Sequence, residues 1–495
     1  MRKFFLYIII SFLPSVSIAQ YFYDFNTNCK KAYSEIISLK FDEGREILEK
    51  EKIINPENNI PYYLENYIDF LKLFLSEDKN DFEKLKQNKY SRINRLEKGD
   101  KNSPYYKFCL AEVSLQWAFL KVKYKNYISA GIEINHSYNL LNQNKKKFPD
   151  FILNNKSLGL LHVVFGSIPD NYKWLTDFIG FKGTIDKGVS ELESILYAEN
   201  QKIFEPECLF YLSLINLNIK SNKKETLKFY NLFSSPEYDK YLKTNLLLIY
   251  SKTIIALHTG KNEEALKTLL ARPTDKKYFN FYYLDYLTGI AKLNKLDISA
   301  EKYFLKYIKN YKGNNYKQAA YEKIAWCYLI KGDIKNFYKN IENIKSIENT
   351  DIEADKQAVY ETKNRAVPNI YLLKARLLFD GGYYKKAINI LNNDAVLKTF
   401  NDTLEYTYRT GRIYDESGEK DKAIFYYETT IKKGFESKKY FAANSALKLG
   451  IIYENQSNIN LAKKYYNKCL MCKNTEYRNS IRQKAKARLQ LIENK

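Results

Sequence analysis

Two stretches of the C-terminal half carry the same residues at the same offsets. That register limits the fold more than any bulk property does. "TYRTGRIYDESGEKDKAIFYYETTIKKG" places Gly411, Tyr414, Gly418, Ala423 and Tyr427. "SALKLGIIYENQSNINLAKKYYNKCL" places Gly450, Tyr453, Ala462 and Tyr466 at the same spacing, 39 residues further on. Upstream, "YLLKARLLFDGGYYKKAINIL" supplies Ala375, Leu378, Gly382, Ala387 and Leu391. A small residue on a first helix lets a partner helix approach, and the aromatic one turn later fills the gap beside it. A glycine at the turn permits the left-handed conformation that ends a helix. Alanine on the second helix marks the contact, and the aromatic after it is a core knob. A period near 36–40 residues means one helical hairpin per repeat.

On these residues the chain resembles the tetratricopeptide (TPR) family. The resemblance implies an all-α fold, a right-handed superhelical solenoid of antiparallel helix hairpins. Weaker copies run upstream through Ala325, Tyr328 and Gly332, then Gly289, Ala300 and Phe304, then Ala256, Gly260, Ala265, Leu269 and Pro273. "LFYLSLINLNIKSNKKETLKFYNLF" is a further helix pair with little of the pattern left. About seven hairpins are expected between residues 205 and 475, within a repeat region spanning 201–475. An amphipathic helix over 476–495, with Ile481, Ala485, Leu489 and Ile492 on one stripe, is expected to cap the stack.

Residues 20–200 read as longer helical hairpins. Ser103 is placed as an N-cap with Pro104 at the first helical position, and Trp117, Leu120 and Tyr124 share one side of the helix that follows. The apolar stretch 159–188, "GLLHVVFGSIPDNYKWLTDFIGFKGTIDKG", reads as a buried hairpin. His162 is expected to be a satisfied core histidine and Trp174 a core anchor. On Gly159, Pro169, Gly180, Phe181, Gly183 and Gly188, residues 100–195 resemble the inclusion-body clearance family of atypical TPR proteins. That resemblance implies an adaptor or lipid-droplet-related role without enzymatic chemistry. An export signal sets this chain apart, so only the architecture carries over.

The chain opens "MRKFFLYIIISFLPSVSIAQ": a basic start, ten apolar residues, and small Ser17 and Ala19 ahead of Gln20. This is the layout of a secretory signal peptide (1–19) cleaved before Gln20. It implies an exported protein, periplasmic or peripheral to the envelope. The net charge is +23. The lysines are scattered, and Lys, Asn, Ile, Tyr and Phe are abundant together, as AT-rich codons produce. Scatter and export both argue against a nucleic-acid partner. A membrane surface stays open as the alternative, through the apolar hairpin and the basic surface.

No catalytic, cofactor-binding or metal-binding residue is expected. The three histidines are scattered, there is no nucleotide loop, and Cys469 and Cys472 end a helix instead of opening one, where a reactive thiol would sit. The expected function is a scaffold that binds a protein or peptide in a concave groove lined by first helices. The groove positions are Asn369, Arg376, Tyr408, Arg412, Asp415 and Asn444. Arg376 and Arg412 hold the same repeat position and are expected along one wall. There they either grip a partner's carboxylates or pair with Asp380, Asp415 or Glu416.

Overall fold

The computed structural model describes residues 21–168, 181–220, 223–363, 365–392, 397 and 399–493. The expected signal peptide and the central part of the 159–188 hairpin, with Pro169, Trp174 and Gly180, lie outside them. Among the described residues the chain is helical throughout, with two isolated bridges and no strand. It divides into two compact units: residues 1–209 with 275–279, and residues 210–274 with 280–495.

The first unit holds α1 (Thr27–Ile37), α2 (Phe41–Ile54), α3 (Ile60–Ser76), α4 (Lys79–Leu96), α5 (Pro104–Lys123), α6 (Tyr127–Lys147), α7 (Asn154–Gly166) and α8 (Ile185–Leu196). The boundary falls inside α9 (Glu205–Ile215). Consecutive helices pair, and α1, α3 and α5 also touch in series. Ser103 caps α5 by accepting from the Tyr105 amide at 3.3 Å, with Pro104 in the first turn. Trp117 and Tyr124 both meet the Phe82 ring, and the Trp117 indole donates to Asn66 at 2.9 Å.

In the 159–188 stretch, α7 ends at Gly166 with Ser167 as its cap. Of the described apolar residues in that stretch, Leu161, Val163, Phe165 and Phe181 are buried, and Leu160, Val164, Ile168 and Ile185 are half-buried. A Cβ on Gly188 would lie 2.3 Å from the Gly159 carbonyl oxygen, so α7 and α8 meet backbone to backbone. His162 is buried, and its Nδ1 meets the Glu191 carboxylate, a partner 29 residues away that local spacing could not reveal.

The centre of this unit is charged. Lys156 is 1 % exposed, and its ammonium donates to Glu112 Oε2 at 2.9 Å and Glu207 Oε2 at 3.0 Å. Tyr33, Tyr63, Tyr67 and Ser157 supply further hydrogen bonds to the two carboxylates. Burial works against the lysine charge, but Glu112 and Glu207 outweigh it and hold its pKa above the usual lysine value. Burial likewise opposes the Glu112 carboxylate, and Lys156 with the hydrogen bonds brings it below the ordinary range.

The second unit continues with α10 (Lys223–Phe233), α11 (Asp239–Thr244), α12 (Leu246–His258), α13 (Asn262–Leu270), α14 (Tyr283–Asn294), α15 (Ala300–Asn310), α16 (Lys317–Lys331) and α17 (Ile334–Lys345). Then come α18 (Glu353–Thr362), α19 (Ile370–Asp380), α20 (Tyr384–Leu391), α21 (Phe400–Glu416), α22 (Lys420–Gly434), α23 (Phe441–Asn455), α24 (Ile459–Met471) and α25 (Arg478–Glu493). The weak pair expected near residues 209–233 is not a hairpin like the rest. A π-helical segment, Asn216–Lys220, follows α9, and α10 packs on α12. The last helix, α25, buries Ile481, Ala485 and Ile492 against α23 and α24, as its stripe predicts.

Among the described residues, eight hairpins close with one turn geometry. A residue with positive φ stands at Leu39, Lys125, Gly260, Leu296, Gly332, Gly382, Gly418 and Ser457. Its amide bonds the carbonyl three residues back, and the next amide bonds the carbonyl five back from itself. Glu419 to Tyr414 and Asn458 to Tyr453, both 2.9 Å, are examples. This is the Schellman motif, which satisfies the carbonyls a helix end leaves free. Half of these turns lack glycine, so a turn glycine marks only half of them.

The small residue of the first helix does a different job from the one its spacing suggests. A Cβ on Gly450 would lie 2.3 Å from the Tyr466 ring, and one on Gly411 would lie 2.8 Å from the Tyr427 ring. The glycine therefore receives the aromatic of the second helix. The first-helix aromatics, Tyr414 and Tyr453, instead stack on Tyr426 and Tyr465. The buried hydroxyls also follow a rule: Tyr427 donates to Asp415 and Tyr466 to Glu454, each acid four residues after its glycine. Where the knob is Phe304 over Gly289, the matching position is Leu293, which needs no hydroxyl.

One further contact joins hairpins distant in sequence. Gly382 in the α19–α20 turn sits so close to the α12–α13 turn that its Cβ would lie 2.1 Å from the Gly260 carbonyl oxygen. Tyr383 donates to Glu263 at 2.7 Å and accepts from Asn262 at 3.0 Å. Leu296, from the α14–α15 turn, joins the apolar cluster of α19 and α20.

Two outcomes check these contacts. Gly450→Ala is expected to lower unfolding free energy by about 1–2 kcal/mol despite alanine's better helix propensity, because the core is overpacked. The penalty should vanish in a Tyr466→Leu background, measured as a double-mutant cycle in urea. Lys156→Met strands two buried carboxylates and is expected to cost about 3–5 kcal/mol, whereas Lys156→Met with Glu112→Gln and Glu207→Gln recovers most of it.

Candidate functional site

The first helices of the second unit bring polar and aromatic side chains to a cleft of about 450 Å³. Trp326 from α16, Glu361 from α18, Arg376 from α19, and Glu405 with Arg409 from α21 contribute. Tyr440, at the N-terminus of α23, and Glu476 with Tyr477, just before α25, complete it. The serial contacts of α19 with α21 and of α21 with α23 bring these positions together.

Its charges are already matched. Arg376 Nη1 donates to both oxygens of Glu361 at 3.2 Å. Arg409 Nε donates to Glu405 at 2.6 Å, and Lys439 to Glu476 at 2.7 Å. The Arg376 guanidinium also lies 5.0 Å from the Trp326 ring, and the Lys323 ammonium lies 3.6 Å from it. Burial pushes the Glu322 carboxyl up. Burial also opposes the Glu361 carboxylate, but Arg376 and Lys323 outweigh it and bring its pKa to about 2. Arg376 pairs with Glu361, and Glu322 pairs with Lys323.

The six groove positions separate into three kinds. Asn369 lines the cleft while capping α19, accepting from the Tyr371 amide at 3.1 Å and the Leu372 amide at 3.4 Å. Arg376 lines it and pairs with Glu361, not with Asp380, Asp415 or Glu416. Tyr408 and Asn444 form a bond between α21 and α23: Asn444 Nδ2 donates to the buried Tyr408 hydroxyl at 2.7 Å. Asp415 is committed to the α21–α22 turn, where it accepts from Lys420 and from Tyr427.

Arg412 lies elsewhere. It lines a second cleft of about 690 Å³ with Ile254, Tyr283, Phe379 and Asp380, and its guanidinium is 4.3 Å from the Phe379 ring. Arg376 thus lines the first cleft and Arg412 the second, with Asp380 and Tyr440 within electrostatic reach of both. Sequence reasoning missed Trp326, Glu361, Tyr440 and Glu476. Trp326 follows Ala325 in a weak repeat copy, but Glu361 and Glu476 fall where no repeat position exists to point at them.

Among the described residues, no three His, Cys, Asp or Glu side chains gather to hold a metal ion. All six cysteines are buried and free. Burial pushes the Cys469 thiol up to about 12 and the Cys472 thiol up to about 11, the opposite of a reactive pair. Among the described residues no helix is long and apolar enough to cross a membrane. No protein-family model matches the chain, and no curated protein matches its sequence.

The Glu361 pairing sets a pH dependence. Its folded pKa lies below the unfolded value near 4.3, so its contribution is present above about pH 4 and is lost as pH falls toward 2. Glu361→Gln is expected to flatten that part of the stability curve relative to the unaltered chain, measured by denaturant unfolding at a series of pH values.

Proposed function

We propose that this chain is an exported, non-enzymatic scaffold of TPR-type hairpins, stacked as a right-handed superhelix, that takes a protein or peptide segment on the first-helix face of its second unit. The observation that carries this reading is the cleft beside Trp326, Arg376 and Tyr440. It gathers aromatic rings and paired charges from α16, α18, α19, α21 and the residues leading into α23 and α25 onto one face. Aromatic side chains bring contact area at small entropic cost, and arginine brings a planar fork. Both are what a peptide-binding surface uses. The eight equivalent turns support a single hairpin type along the chain.

Export rests on the first twenty residues. Proteins of this kind are adaptors: their rigid stacked faces hold an extended partner without altering it. The lipid-surface alternative has less to support it, since Leu161, Val163, Phe165 and Phe181 of the 159–188 stretch are buried.

Photo-cross-linking tests the reading. With benzoylphenylalanine replacing Tyr440, a discrete adduct is expected in the native cells. The Arg376→Ala/Arg412→Ala pair is expected to reduce that adduct at least ten-fold, and a surface control, Lys302→Ala, to leave it unchanged. An adduct unaffected by loss of both arginines would sink the groove reading.

A further inference from the structure

The turn residues Gly260, Leu296 and Gly332 stand 36 residues apart, and so do Gly382 and Gly418. Between Gly332 and Gly382 the interval is 50. The surplus of 14 residues contains α18, a helix that belongs to no hairpin. It packs mainly on α16 and reaches across the first-helix face.

The contacts of α18 are those of a bound peptide. At one end Asp355 accepts from the Tyr316 amide at 2.7 Å and the Ala319 amide at 2.9 Å, at the N-terminus of α16. At the other end Glu361 takes the Arg376 fork, and Tyr360 donates to Glu476 at 3.0 Å. The helix, "EADKQAVYET", carries Glu353, Asp355 and Glu361 against one lysine, in a chain of net charge +23. Helix N-termini and arginine forks both select carboxylates.

Little apolar surface holds it there. Only Asp355 and Ala358 are buried, and Tyr360 is 52 % exposed. A helix of 10 residues is marginal by itself, and a segment with few buried apolar contacts opens at low cost. When α18 lifts, Arg376 and the first-turn amides of α16 lose their carboxylates, and the same chemistry can replace it.

We propose that α18 is a displaceable internal occupant of the first-helix face, and that the partner is an acidic helical segment which takes its place. This rests on the groove reading above and adds the partner's chemistry. The segment presents one carboxylate to the α16 N-terminus and another, about two helical turns on, to Arg376.

The probe is a fluorescein-labelled peptide of residues 350–362, TDIEADKQAVYET, titrated into the full chain by anisotropy. Tyr360→Ala/Glu361→Ala, which loosens α18, is expected to bind it at least ten-fold more tightly than the unaltered chain. Adding Arg376→Ala should abolish the gain, and a peptide with its acidic residues replaced by lysine should not bind. Equal affinity of loosened and unaltered chains, or indifference to Arg376→Ala, overturns the proposal. Should the loosened variant lose its circular dichroism, hydrogen exchange of the unaltered chain decides. Residues 353–362 exchanging at least ten-fold faster than 370–380 supports displacement, and equal protection overturns it. A Tyr440 adduct lost in the arginine variant, together with a peptide that does not bind, would keep the groove and discard the acidic occupant.

Discussion

Eight hairpins among the described residues each depend on one residue holding a left-handed backbone at the turn. The paired hydrogen bonds around Gly418 or Ser457 end one helix and aim the chain back along it. With the reversal set, the two helices must touch, and the contact is shaped by a missing side chain. Glycine at 411 and 450 leaves the hollow that the ring of Tyr427 or Tyr466 enters. The tyrosine hydroxyl would be stranded in that core, so an acid four residues beyond the glycine receives it. Turn, hollow, ring and acid are four parts of one solution, and removing any of them leaves a buried defect.

The first unit meets the same need by other means. Its helices surround Lys156, Glu112 and Glu207, where a larger apolar core would serve a repeat. Such a cluster demands that all its partners be in place, because one missing cation strands two carboxylates in a medium that cannot solvate them. In the 159–188 stretch Gly159 and Gly188 bring two backbones into contact. Leu161, Val163 and Phe165 form the packing surface of α7.

Much of this was legible in the residues. Period, helix pairing, the Ser103 cap, the buried cysteines and the capping stripe of α25 all follow from local spacing, because each depends on residues within one or two helical turns. Contacts between distant segments were not legible. Nothing near His162 announces Glu191. Nothing in "EADKQAVYET" says that it crosses the face of neighbouring helices. The left-handed residue of a turn was legible only where it is glycine, because Leu39, Lys125, Leu296 and Ser457 adopt that backbone for the sake of the hairpin, against their own preference. The groove positions were half legible. Repeat register identifies a first-helix residue, but whether it faces solvent or a neighbour depends on how the next hairpin is turned.

The touch between Gly260 and Gly382 changes the mechanics of the second unit. In an open row of hairpins each member leans only on its neighbours, so ends can fray and members can be added or removed one at a time. Here a late hairpin is fastened to an early one, and the hairpins between them are enclosed like links in a buckled belt. The enclosed hairpins cannot part from the row without opening the buckle, whereas α18, which belongs to no hairpin, can still lift. A change in the length of any enclosed hairpin would move the two glycines out of reach of each other. The extra segment carrying α18 lies inside that belt, and its length is part of what lets the buckle close.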